Sequence, residues 1–194
     1  MPRPKPSIMA ALDLWVQSDA YHNKHLLGND IILEQVSSSS EASGLMPIAV
    51  SAAQGKFLNL QVARKNIELA GLSNRIEVKV GPAAETLPTL GPDHSFDFAF
   101  IDADKESNPI YFKEAQRLVK PGGVVIVDNV VRKGRVGDEN IKEEKDSSVK
   151  GVRELLRYVQ SQHTVEATTI ATVGDKGHDG FMYAIVGLGG STRL

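Results

Sequence analysis

The chain has 194 residues, 41% of them hydrophobic and 24% charged, with a formal net charge of -2. That length and apolar fraction suit one globular domain, residues 1–194, and the near-neutral balance argues against nucleic acid or anionic lipid as a partner, since either needs Lys and Arg gathered on one face. Cysteine is absent, which excludes disulfides, thiolate nucleophiles and cysteine-bound zinc, leaves oxygen or imidazole to hold any metal, and fits a reducing cytosol.

Apolar residues at helical spacing, Leu12, Trp15 and Val16 and then Ile31, Ile32 and Val36, predict two amphipathic helices around a break at Gly28 and Asn29. Asp13, Gln17 and Asp19 interrupt the first, so it reads neither as a leader nor as a membrane span, and a soluble, cytoplasmic protein is expected. Residues 1–50 together read as a helical lid or entrance region, with the Ser-rich run at 37–47 as a surface loop. Residues 51–70 predict one long helix stopped by Gly71.

A regular alternation follows. The pattern predicts a strand at 76–80, a short helix at 82–90, a buried strand at Phe96–Ile101, a helix at 108–119 ended by Pro121-Gly122-Gly123, a second buried strand at 124–127 and a helix at 147–161. Two strand-like runs, 165–172 and 181–186, are joined by the turn-rich residues 174–180. Strands alternating with helices imply a doubly wound α/β sheet, with the last pair as an antiparallel hairpin at its edge. The long charged segment 132–146 reads equally as a functional cover or as a solvated, mobile insertion.

Ligands of open α/β sheets bind outside the carboxyl ends of the strands. Two of those ends carry acids: FAFIDADK places Asp102, Asp104 and Lys105, and VVIVDN places Asp128 and Asn129. If the strands are neighbours, Asp102, Asp128 and Asn129 converge as hard oxygen ligands, a set suited to magnesium, with calcium or manganese as substitutes. Each piece alone has a plainer reading, because an Asp after a strand commonly caps the next helix and Asp-Asn commonly makes a turn. Lys105 can reach the same pocket and serve as a base beside a dication, or lie along the surface with only its stem covered. His22 and His25 share a helix face and read as polar surface, and His178 as satisfying a turn backbone. Arg132, Lys133 and Arg135 either attract an anionic substrate or belong to a solvated loop.

The stretches FDFAFIDADK, LVKPGGVVIVDNV with GRV after it, and VGDKGHDGFMYAIV resemble the corresponding stretches of the cation-dependent, S-adenosylmethionine-dependent O-methyltransferases of the caffeoyl-CoA and catechol type. GLMPIAVSAAQGKFLNL is similar to that family's entrance helix, and ARKNIELAGLSNRIEVKVGPAAETLPTL to its segment around the third strand, so the series runs in order from Gly44 to Val186. The resemblance implies a Rossmann-like methyltransferase sheet and a small phenolic or catechol-like substrate handled by a homodimer. It makes Asp102, Asp128 and Asn129 the metal ligands, magnesium first among the cations, and Lys105 the acceptor of the substrate hydroxyl's proton, with Asp102 beside it in the catalytic pair. Carried over in the same way, Val50 contacts S-adenosylmethionine through its backbone, Ala83 lies in the turn flanking the adenine, Asp102 borders the cofactor, and Gly55 is a close-packing position of the entrance helix.

One stretch departs from the family. Between FLNLQ (57–61) and VARKN (62–66) the family carries its first strand, a glycine-rich turn, a helix and a second strand ending in an acid for the ribose hydroxyls; here the two runs are joined directly. Such a strand-helix-strand unit takes about 30 residues or more. The remaining strands must then re-pair or recruit a partner. Two functional expectations follow: an O-methyltransferase, or a non-catalytic or truncated form that keeps the metal site but binds the cofactor poorly. A phosphotransferase of the haloacid-dehalogenase-like sort, suggested by Asp102-Ala103-Asp104, is disfavoured by Glu106 where that family needs Thr or Val.

Overall fold

A computed structural model describes residues 8–26, 31, 35, 38–39, 42–43, 55–174 and 177–187. The chain divides into two compact units, residues 20–81 and the rest. Helices α1 (Ile8–Leu26), α2 (Gly55–Leu69), α3 (Ala83–Thr86), α4 (Asn108–Leu118) and α5 (Ser147–Ser161) accompany strands β1 (Phe96–Ile101), β2 (Val119–Val127), β3 (Val165–Gly174) and β4 (Gly177–Val186). Among the described residues no helix is long and apolar enough to cross a membrane.

The sheet has the order β1-β2-β4-β3. β1 and β2 run parallel, β4 is antiparallel to β2, and β3 pairs with β4 in a ladder from Val165 opposite Val186 to Gly174 opposite Gly177. The mixed α/β class read from the sequence is therefore the observed one, with the antiparallel hairpin at one edge. Alternation decides the faces: Ala99, Ile101, Val125, Val127, Met182, Ala184 and Val186 share one face and form the core with Phe112 and Ala115 of α4 and Val152, Leu155 and Val159 of α5. Both helices start on definite signals. Asp146 caps α5 by accepting from the Val149 amide at 3.1 Å, and α4 has proline in its first turn, where no amide hydrogen is needed. On the opposite face of β1, the edge strand, Phe96, Phe98 and Phe100 are 42%, 50% and 57% exposed.

Several boundaries differ from the sequence reading. Residues 76–80 are not a strand: a strand needs a partner for its amides, no strand among the described residues pairs there, and Ile76 and Val80 are exposed. The Pro-Gly-Gly run does not lie between helix and strand but inside β2, where the ladder with β1 shifts register between Phe96 and Phe98. Residues 177–180 belong to β4 rather than to a turn. The short helix at 82–90 splits into α3 and a 3-10 turn, Leu87–Thr89, because Pro88 supplies no amide hydrogen. Segment 132–146 is not a loose insertion. It holds a kinked 3-10 stretch, Arg132–Gly137, and a 3-10 turn, Glu143–Lys145, and the Arg153 guanidinium donates to the carbonyls of Val136, Ile141 and Asp138 at 2.9, 2.9 and 2.7 Å. Val50, the break at Gly28 and Asn29, and residues 51–54 of the long helix lie outside the described residues.

Candidate active site at the carboxyl ends of β1 and β2

Because β1 and β2 are parallel neighbours, with Ile101 opposite Val127, the residues that follow each strand emerge at the same rim. The Asp128 amide donates to the Ile101 carbonyl at 2.9 Å, which fixes the start of the 128–131 segment against the end of β1, immediately before Asp102. One oxygen of Asp128 accepts from the Asn129 amide at 2.7 Å, and Asn129 holds φ 55, a left-handed conformation that asparagine tolerates better than most residues. Asp102, Asp128 and Asn129 thus follow the ends of two adjacent parallel strands, at one rim of the sheet.

Lys105 is not a surface lysine. It is 7% exposed, and its ammonium donates to Oδ1 of Asp102 at 2.9 Å. A buried cation requires such a counter-charge, since unpaired burial costs far more than a surface position. Asp104, two residues from Asp102, has a separate task. Its carboxylate accepts from the Ser107 amide at 3.1 Å and from the Tyr111 hydroxyl at 2.5 Å, so it caps the 3-10 turn Lys105–Ser107 that leads into α4.

These bonds shift two titrations. Burial resists ionisation of Asp104, but the hydrogen bonds from Ser107 and Tyr111 outweigh it and hold the carboxyl below its ordinary 3.8. Burial, aided by the bond to Asp104, pushes the Tyr111 phenol above its ordinary 10.0. A carboxyl whose folded value is depressed contributes stability that is full above the ordinary value and is lost as pH falls through the folded one. Urea midpoints measured from pH 6 down to pH 2.5 should therefore fall less steeply for Tyr111→Phe than for the parent; parallel curves would show that this bond carries no linkage.

A residue absent from the sequence reading organises the loop beyond Asn129. Oδ1 of Asp179, on β4, accepts from the amides of Val131, Arg132 and Gly180 at 3.2, 2.8 and 2.9 Å, and the Val130 amide donates to the Gly180 carbonyl at 2.9 Å. The backbone it holds is unusual, with φ 53 at Arg132, 57 at Lys133 and 85 at Gly134. Gly180 allows the close approach: a Cβ there would lie 2.6 Å from Val131 Cγ2 and 2.7 Å from the Ile170 carbonyl oxygen. His178 is exposed on β4 opposite Val173, and Asp179 next to it accepts from backbone amides of residues 131, 132 and 180. The sequence signals were an acid beside a glycine in a segment read as a turn and its place within the stretch VGDKGHDGFMYAIV.

The other candidates fall as follows. Ala83 begins α3 after Pro82, half-buried and packed against the core. His22 and His25 are exposed on α1, with His25 Nδ1 2.7 Å from the Tyr21 carbonyl oxygen. Arg135 pairs with Asp146, Lys133 is exposed, and Arg132 is half-buried. Among the described residues no cluster of three or more His, Cys, Asp or Glu is found. The rim offers a different donor set, two carboxylates and one carboxamide, all hard oxygen, which fits a magnesium-like ion that keeps several waters.

A mixed sheet with an acidic rim at the ends of adjacent parallel strands places the chain among the α/β domains whose ligands bind outside the strand carboxyl ends. Residues 59–178 match the family described as O-methyltransferase. The chain is 37% identical over 214 aligned positions to a catechol O-methyltransferase of Mycobacterium tuberculosis, covering 87% of this chain and 94% of that protein. It is 41% identical over 127 positions to a catechol O-methyltransferase of Niastella koreensis, covering 64% of this chain and 56% of that one. The crystal structure of the O-methyltransferase from Bacillus cereus in complex with SAH superimposes with TM-score 0.78 at 34% identity, over 90% of this chain and 99% of that one. The chain belongs to the S-adenosylmethionine-dependent O-methyltransferase family. Because the first alignment has 214 positions and the chain only 194 residues, the M. tuberculosis relative contains at least 20 residues with no counterpart here.

Proposed function

We propose that the chain transfers the methyl group of S-adenosylmethionine to one hydroxyl of a catechol-like or other small phenolic acceptor, with a divalent cation at the rim. The observation that carries this reading is the buried Lys105 ammonium 2.9 Å from Asp102 Oδ1, at the end of β1 next to the β2 end that carries Asp128 and Asn129. When bound, the cofactor supplies an electrophilic methyl and the cation lowers the pKa of a hydroxyl it touches. Asp102, Asp128 and Asn129 would hold that cation, and Ala83 would flank the cofactor. Lys105, once it has released one ammonium proton and stands as the neutral amine, would accept the acceptor's proton. Its burial keeps bulk water from the amine, and Asp102 keeps the amine aimed at the rim. With the nucleophile fixed, most of the acceleration comes from holding it in line with the methyl. The catechol names of both curated relatives support a phenolic acceptor.

The longer M. tuberculosis relative favours a second reading. The run from FLNLQ directly into VARKN omits the glycine-rich turn and the ribose-binding acid, so the chain would keep the metal rim and hold the cofactor poorly. Isothermal titration with S-adenosylmethionine separates the two. A dissociation constant below about 1 mM, which corresponds to about -4 kcal/mol, is the expected result for the transferase. No heat at millimolar cofactor, with Mg2+ still binding, would leave the second reading standing alone.

A further inference from the structure

We infer that Gly151 is a positioning residue for methyl transfer: its bare Cα lets α5 bear on the backbone of Lys105 and Glu106 and so keeps the Lys105 ammonium sealed against Asp102. This rests on the proposed role of Lys105 as proton acceptor. A Cβ at Gly151 would lie 2.1 Å from the Lys105 carbonyl oxygen, 2.7 Å from its carbonyl carbon and 2.4 Å from Glu106 Cα. All three are backbone atoms, so no change of rotamer relieves the clash. Either the helix or the turn must move.

Neither moves freely. The turn is tied from its other side by Asp104, which accepts from Ser107 and Tyr111. The helix is set into the core by Val149, Val152 and Leu155, each fully buried. Nor is the glycine there for its backbone freedom, since Gly151 lies within α5 and has none of the positive φ seen at Gly122 or Gly134. In mid-helix alanine is the better residue on propensity alone. What glycine gives at this position is contact between a helix backbone and the turn carrying Lys105.

The test reads Lys105 directly. In the parent enzyme, brief acylation with N-hydroxysuccinimidyl acetate, followed by peptide mass spectrometry, should modify exposed Lys113 and Lys150 quickly and Lys105 slowly. In Gly151→Ala the Lys105 rate should rise about tenfold or more through local opening, with Lys113 and Lys150 unchanged. With the acceptor and S-adenosylmethionine at saturation, kcat should fall by up to about 100-fold, while KM for the acceptor changes by less than about threefold, as for a small displacement of a reacting group. A folded Gly151→Ala whose Lys105 stays as slow as in the parent overturns the inference. Should Gly151→Ala fail to fold, the parent alone decides: Lys105 acylation should keep step with hydrogen exchange of the α5 amides across a urea series, and rapid acylation while those amides stay protected overturns it. Lys105→Gln separates the two claims, since full activity there removes the proton-acceptor role while the labelling result judges the Gly151 contact.

Discussion

Asp102→Ala is expected to lower kcat by about 10^3-fold and to abolish the response to divalent cations, because one carboxylate serves both the rim and Lys105. Removing it takes a hard oxygen from the proposed ligand set Asp102, Asp128 and Asn129, and leaves the Lys105 ammonium, 7% exposed, without its partner at 2.9 Å. The first loss weakens the cation that would acidify the acceptor hydroxyl; the second frees the amine from its aim. The side chain of Asp102 is 45% exposed, but its removal leaves the buried Lys105 ammonium unpaired, so the stability cost is expected to be about 3 kcal/mol. Asp97→Ala is the matched control. It lies on the same strand, its 85% exposed side chain pairs with Lys120 at 2.7 Å, and it should change neither rate nor cation response. The measurement is methyl transfer to a catechol at saturating cofactor, after removal of metal with EDTA and across a Mg2+ titration. Equal rates with and without Mg2+ in the parent would remove the cation from the reading, and an Asp102→Ala enzyme that still responds to Mg2+ would remove Asp102 from the ligand set.

The rim was legible because apolar runs, FDFAFI and VVIV, end abruptly in acids, and a parallel sheet puts such ends on one side. Helix α5 was legible for a similar reason: Val149, Val152, Leu155 and Val159 recur at helical spacing behind a capping Asp146. What local pattern could not reveal depends on partners remote in sequence. Ile76, Val78 and Val80 alternate as a strand should, yet alternation specifies a face and not a neighbour, and no ladder forms there among the described residues. The bare Phe96, Phe98 and Phe100 show the same limit from the other side, since a run that reads as a buried strand stands here at the edge of the sheet. Lys105 was ambiguous for a further reason: spacing allows a lysine three residues past an acid to be buried or solvated, and the decision is made by Gly151, 46 positions away in sequence, where a helix without a side chain closes over it.

Asp179 exposes the same long-range dependence and yields the second large effect. Its single oxygen accepts from three amides, two of them 47 and 48 positions away, and the segment it steadies begins directly after Asn129. Left-handed backbone at Arg132 and Lys133 is unfavourable for side-chain-bearing residues, so the segment holds that shape only while something compensates. Asp179→Ala removes the compensation from three amides at once and is expected to cost about 3 kcal/mol of stability, at about 1 kcal/mol for each hydrogen bond lost. Asp179→Asn keeps a carbonyl oxygen and should lose only about 1 kcal/mol, the difference between a charge-assisted and a neutral acceptor. The functional consequence follows from position. With the segment loosened, the backbone carrying Asn129 is less firmly fixed, and Mg2+ affinity should fall by about tenfold to 100-fold in Asp179→Ala, as for residues that orient metal ligands without touching the metal. Urea denaturation gives the stability difference and calorimetric Mg2+ titration of the folded variant gives the affinity. An Asp179→Ala protein that loses stability yet binds Mg2+ like the parent would show that the segment beyond Asn129 does not govern the rim; one that loses neither would show that these amides find equivalent partners without it.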